Sequence, residues 1–145
     1  MDKRPFGLTT IELILTVGII GVIFAITIPV MRTLILKNDL DVSFNVLNQD
    51  IYRAQSLARN GERDSSWGVF VQSGSITVFR GNNYVSRDQN FDEIFTIPNA
   101  IQVTGTGEYV FSRFSGLTNP GSTTLQYAGE SRTSTVNSKG MIEQQ

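Results

Sequence analysis

The sequence contains neither cysteine nor histidine. Without histidine it lacks the side chain that most often serves as general base or metal ligand near neutral pH. Without cysteine it has no thiol nucleophile and no disulfide, so an extracytoplasmic domain would have to hold together by packing alone. Neither charge sign is in surplus. The 12 Lys and Arg against 13 Asp and Glu leave a net charge of −1, which does not call for nucleic acid as an obligatory partner. Serine and threonine hydroxyls have no histidine to activate them. A Ser–Lys dyad using Lys37 or Lys139 is formally open, yet nothing in the sequence sets either lysine beside a serine. These absences argue against an enzyme, with no catalytic residue, cofactor or metal implied.

What is present begins with an apolar run. Leu13 to Met31 reads LILTVGIIGVIFAITIPVM and carries no charged residue. As a helix rising about 1.5 Å per residue it covers most of the hydrocarbon thickness of a bilayer. Lys3 and Arg4 lie on its short flank, which places the N-terminus in the cytoplasm and the rest of the chain outside. The run is longer than the apolar stretch of an ordinary secretory signal, and no A-x-A-like site follows it before Arg32. A plain single-span anchor remains open on these grounds.

Glu12 abuts the run, where a lone carboxylate is costly, on the order of 3 kcal/mol at the centre of a membrane helix. Thr9-Thr10-Ile11-Glu12 also matches the capping box S/T-x-x-E, a purely structural reason for the glutamate. That reason leaves Gly7 and Leu8 unexplained. The whole segment Gly7-Leu8-Thr9-Thr10-Ile11-Glu12-Leu13 resembles the class III signal of type IV pilins and type II secretion pseudopilins, departing from it at Leu8 and Thr10.

The resemblance implies a leader, residues 1–7, removed by a prepilin peptidase between Gly7 and Leu8, with methylation of the new amine on Leu8. It implies that Glu12 guides assembly by pairing with the N-terminal amine of a neighbouring subunit. A buried amine and a buried carboxylate are each costly alone and tolerable together. Pro29 falls where many pilins carry a helix-bending proline, although membrane helices tolerate proline for ordinary reasons as well. Gly18 and Gly21 would permit close helix approach without forming GxxxG.

Helical periodicity continues past the apolar run. Leu36, Leu40, Phe44, Leu47, Ile51, Ala54 and Ala58 form one stripe, and Asp41, Asn45, Asn48, Asp50, Arg53 and Arg59 suit a solvated face. Gly61 is placed as a C-cap. The expectation is one helix from about Thr9 to Asn60, about 80 Å long. Residues 8–31 would span the membrane or fill a filament core, residues 32–61 would continue as an amphipathic helix, and residues 62–145 would form a β-rich domain.

From Trp67 the pattern is that of strands. Trp67–Val71 and Ile76–Phe79 flank a Ser73-Gly74-Ser75 turn, and Gly81-Asn82-Asn83 leads to Tyr84-Val85. Further candidates are Glu93–Ile97, Ile101–Val103, Tyr109–Phe114, Thr124–Tyr127 and Thr133–Val136, separated by Gly- and Pro-rich turns. The expected fold is α+β and pilin-like: a long N-terminal helix packed on an antiparallel β domain.

Three loose patterns, Ala54–Arg59, Phe111–Gly116 and Ser134–Gly140, are similar to the minor pseudopilin H and FimT-like branch of that superfamily. The implied role is a filament subunit, minor in the machine it serves. A major pilin of an adhesive or motile fibre and an unprocessed anchor are the alternatives. The implied partners are the prepilin peptidase, other pilin or pseudopilin subunits, an inner-membrane assembly platform and the bilayer. The location would be the inner membrane, and outside it after assembly. Asp88, Asn90 and Asp92 resemble the opening of a calcium loop, but Glu93 and Asn99 stand where an EF-hand needs glycine and glutamate, so a solvated turn is expected. Arg113, Arg132 and Lys139, the cations weighed for DNA binding, are scattered in the sequence, so DNA uptake stays open without support from it.

Overall fold

The computed structural model describes residues 9–144, apart from the side chains of residues 28–34 and residue 36. Helix α1 runs Thr10–Arg59, and a short 3-10 turn, Glu62–Asp64, follows it. Eight strands come next: β1 Trp67–Gln72, β2 Ser75–Arg80, β3 Asp88–Thr96, β4 Gln102–Gly105, β5 Glu108–Phe111, β6 Gly121–Tyr127, β7 Glu130–Val136 and β8 Ile142–Gln144. They form two antiparallel sheets, ordered β3-β2-β1-β5 and β4-β6-β7-β8. The chain divides after Ile35 into two compact units, each described by itself below.

In the second unit the expected stripe of α1 is the spine of the core. Leu40, Leu47, Ile51, Ala54 and Ala58 are essentially inaccessible and Phe44 nearly so. They pack with Val69, Val71, Ile76 and Val78 from the first sheet and with Leu125 and Val136 from the second. Alternation along each strand explains the match: register pairs Val69 with Val78 and Val71 with Ile76, so all four point to the helix. The two sheets are joined by Tyr109 of β5, whose hydroxyl lies 2.8 Å from Thr123 Oγ1 of β6.

Local chemistry sets the turns. The β1–β2 hairpin closes through Ser73-Gly74, with Gly74 at φ +92°, a conformation most side chains resist. The helix stops as expected at Gly61, which is left-handed at φ +64°.

Several expectations are corrected. Tyr84-Val85 is loop, not strand, because Tyr84 turns back to stack on Phe70 with ring centroids 3.9 Å apart. Arg87 clamps that loop, donating to Tyr84 O at 2.8 Å and to Asp92 at 2.8 Å. Residues 88–92, expected as a solvated turn, open β3 instead, since pairing with β2 continues to Arg80–Asp88 across a register shift. The strand expected over Tyr109–Phe114 ends at Phe111, and Phe114 has φ +62° in the turn beyond it. Strand β8 was not expected, because its three residues carry little alternation of their own. Asn48 and Asp50, assigned to the solvated face, are buried.

Candidate functional site

Helix α1 begins on Thr9, whose hydroxyl accepts the Glu12 N–H at 3.3 Å while its carbonyl accepts Leu13 N–H at 3.1 Å. This is the outgoing half of the capping box. Among the described residues the Glu12 carboxylate forms no ion pair. Gly7 and Leu8 lie outside the described residues. Pro29 falls within α1.

The 18 residues Thr10–Thr27 have a mean hydropathy of 2.3, and none is buried within the chain. Thr16 and Thr27 return their hydroxyls to carbonyls one turn earlier, Glu12 O at 2.9 Å and Ile23 O at 2.8 Å. Beyond Glu12 the segment thus turns these hydroxyls back onto its own backbone and offers mainly hydrocarbon outward, as suits a helix in lipid or among other apolar helices. Among the described residues, nothing beyond the helix's own backbone lies within 4 Å of where a Cβ on Gly18 or Gly21 would sit.

At the other end of α1 the three segments singled out in the sequence converge. Buried Gln55 donates through Nε2 to Gly116 O at 3.3 Å and Lys139 O at 3.0 Å. Arg59 also donates to Lys139 O, at 3.2 Å. Phe114 N–H donates to Ala58 O at 2.8 Å, a carbonyl that also accepts Gly61 N–H at 3.0 Å where the helix stops. Two turns nearer the N-terminus, Ser134 donates to Asn48 Oδ1 at 2.7 Å, and Asn48 Nδ2 donates to Phe44 O at 3.0 Å. Segments distant in sequence are thus strapped to one helix by its buried amides.

Asn48, Asp50 and Gln55 were not recognised as buried from the sequence. The signal was available in part. Asn48 and Gln55 each follow a stripe residue directly, and a helix that packs with strands of two sheets buries a wider arc than one apolar stripe. Asp50 is 3 % exposed. Burial and the nearby Glu93 carboxylate push its pKa up to about 7, and Arg53 pulls the other way.

The residues weighed for calcium are spoken for. Asp92 accepts from Arg87, and Asp88 lies 3.5 Å from Arg80 while accepting from Asn90 Nδ2 at 3.0 Å. Among the described residues no three acidic side chains gather as metal ligands would. Arg113 is paired with Asp64, and Arg132 with Asp41 at 3.1 Å.

No protein-family profile matches the chain, and no curated protein sequence matches it. Among solved structures it resembles the minor pseudopilin EpsH from the type 2 secretion system of Vibrio cholerae. The TM-score is 0.55, over 74 % of this chain and 96 % of that one, at 14 % identity. At that identity the likeness is one of fold. The α+β, pilin-like architecture expected from the sequence is the architecture of the chain.

Proposed function

We propose that this chain is a minor subunit of a type IV pilus-like or type II secretion pseudopilus filament, trimmed after Gly7 and assembled through its N-terminal helix. One observation carries the reading: a charge-free helical segment with no cover inside the chain, headed by Glu12, on a pilin-like fold. Apolar side chains left this open require a nonaqueous partner. A bilayer before assembly and neighbouring helices afterwards would both serve, and Gly18 and Gly21 would let those helices come close. In this reading the protein is structural and not catalytic. It sits in the inner membrane with its N-terminus in the cytoplasm, and its partners are the prepilin peptidase, other subunits and the assembly platform.

The decisive measurement is the intact mass of the chain co-expressed with a prepilin peptidase, beside Gly7→Val. The expected wild-type product lacks residues 1–7 and carries one added methyl group on Leu8, whereas Gly7→Val stays full length. A wild-type chain left uncut by an active peptidase would replace the filament reading with that of a plain membrane anchor.

A second expectation concerns assembly. Glu12→Gln should be cleaved normally yet enter sheared filaments roughly tenfold less or worse, because a buried amine in the neighbour loses its counter-charge. Filament yield equal to wild type would reduce Glu12 to its capping role.

A further inference from the structure

The contact between α1 and β3 contains one cation and two anions. Arg53 grips Glu93 with both arms of its guanidinium, Nη2 to Oε1 and Nε to Oε2, each at 2.7 Å. Such a bidentate fork fixes geometry as well as charge. One turn earlier on the helix, Asp50 lies almost wholly buried, and its Oδ2 has no hydrogen-bond partner among the described residues. Arg53 is thus shared between a carboxylate it holds fully and a second it does not reach. β3 is an edge strand, hydrogen-bonded to β2 on one side only, and it touches the core through the half-buried Phe91 and Phe95. The Arg53–Glu93 fork, with its side chains 52 % and 37 % exposed, is a polar tie from this edge to the helix.

We propose that Asp50 is a proton-operated latch on the α1–β3 contact. Protonated, Asp50 is neutral and the Arg53–Glu93 pair is charge-balanced, so the edge strand stays clamped. Ionised, Asp50 places a second negative charge beside Glu93 with no cation of its own. A buried unpaired charge is relieved either by drawing Arg53 away from Glu93 or by opening the contact to water. Both routes loosen β3.

The charged groups acting on Asp50 are Glu93 from β3 and Arg53 from α1, and burial acts in the same sense as Glu93. A carboxyl that titrates near 7 when closed and near 3.8 when open holds its proton more tightly in the closed state. The clamp is then strongest at low pH and weakens as pH rises through that window, levelling off above about 7. A loosened edge exposes backbone donors and acceptors able to pair with another chain. The latch is a property of the globular unit and stands whether or not the filament reading does.

Hydrogen exchange on the full chain in detergent micelles tests this, comparing residues 88–96 with residues 121–136 between pH 5.5 and 8.5. After correction for intrinsic exchange, opening of β3 in the wild type should rise about thirtyfold, the ratio those two titration points dictate. Residues 121–136 should not change. Asp50→Asn, which keeps the shape and cannot ionise, should hold β3 closed throughout. A pH-independent β3 in the wild type, equal loosening of both regions, or pH dependence retained in Asp50→Asn would each overturn the latch. Should Asp50→Asn fail to fold, a ¹³C titration of the wild-type Asp50 carboxyl decides the matter, and a midpoint below pH 5 would end the proposal.

Discussion

Gly140→Ala should cost the globular unit about 4 kcal/mol, whereas Gly129→Ala should cost about 1 kcal/mol. Both glycines have left-handed backbones, φ +75° at Gly140 and +86° at Gly129, so the conformational penalty of a side chain is common to the two. Their surroundings differ. Among the described residues a Cβ on Gly129 meets nothing within 4 Å, but on Gly140 it would collide with Gln55 Nε2 and lie 3.0 Å from Gly116 O. Gln55 would have to leave, stripping Gly116 O of its donor and leaving Lys139 O to Arg59 alone, and a buried polar group left unpaired costs about 1–3 kcal/mol. Denaturant unfolding of the full chain in micelles, with both variants beside wild type, measures the difference. Equal losses would mean that the Gln55 strap contributes nothing beyond the backbone term.

Ile51→Ala should destabilise by about 4 kcal/mol, and Tyr52→Ala on the adjacent position by no more than about 0.5 kcal/mol. Ile51 is fully buried in the stripe that both sheets share, and Tyr52, about 100° further round the same turn, is 51 % exposed. Helix propensity favours alanine at both sites, so the contrast isolates the core. The loss at Ile51 combines the transfer of removed carbons with a cavity that close-packed neighbours fill poorly. The same unfolding experiment reads it. A small effect at Ile51 would show that α1 is not the common support of the two sheets.

The functional site was unevenly legible in the sequence. Thr9, Glu12 and the charge-free run could be read directly, because capping and hydropathy depend on neighbours within four residues or on composition alone. The segments around Gln55, Gly116 and Gly140 could be noticed as patterns, but not as one place. Asp50 was misread. Its neighbours Asn48 and Arg53 suggested a polar face, and a helix with one stripe ordinarily has one. With strands of both sheets packed on the helix, part of that face was enclosed.

The sequence by itself determined the long helix, its apolar first half, the stripe of its second half, the Gly61 stop and the antiparallel hairpin at Gly74. Each is written in a period, a cap or a turn that acts over a few residues. Only the tertiary structure decided which polar residues on α1 were buried, where β3 begins, that β8 exists and that Gln55 reaches carbonyls 61 and 84 positions away. Those outcomes depend on how two sheets enclose one helix. The enclosing surfaces come from distant parts of the chain, and no local pattern states which side chains they will meet.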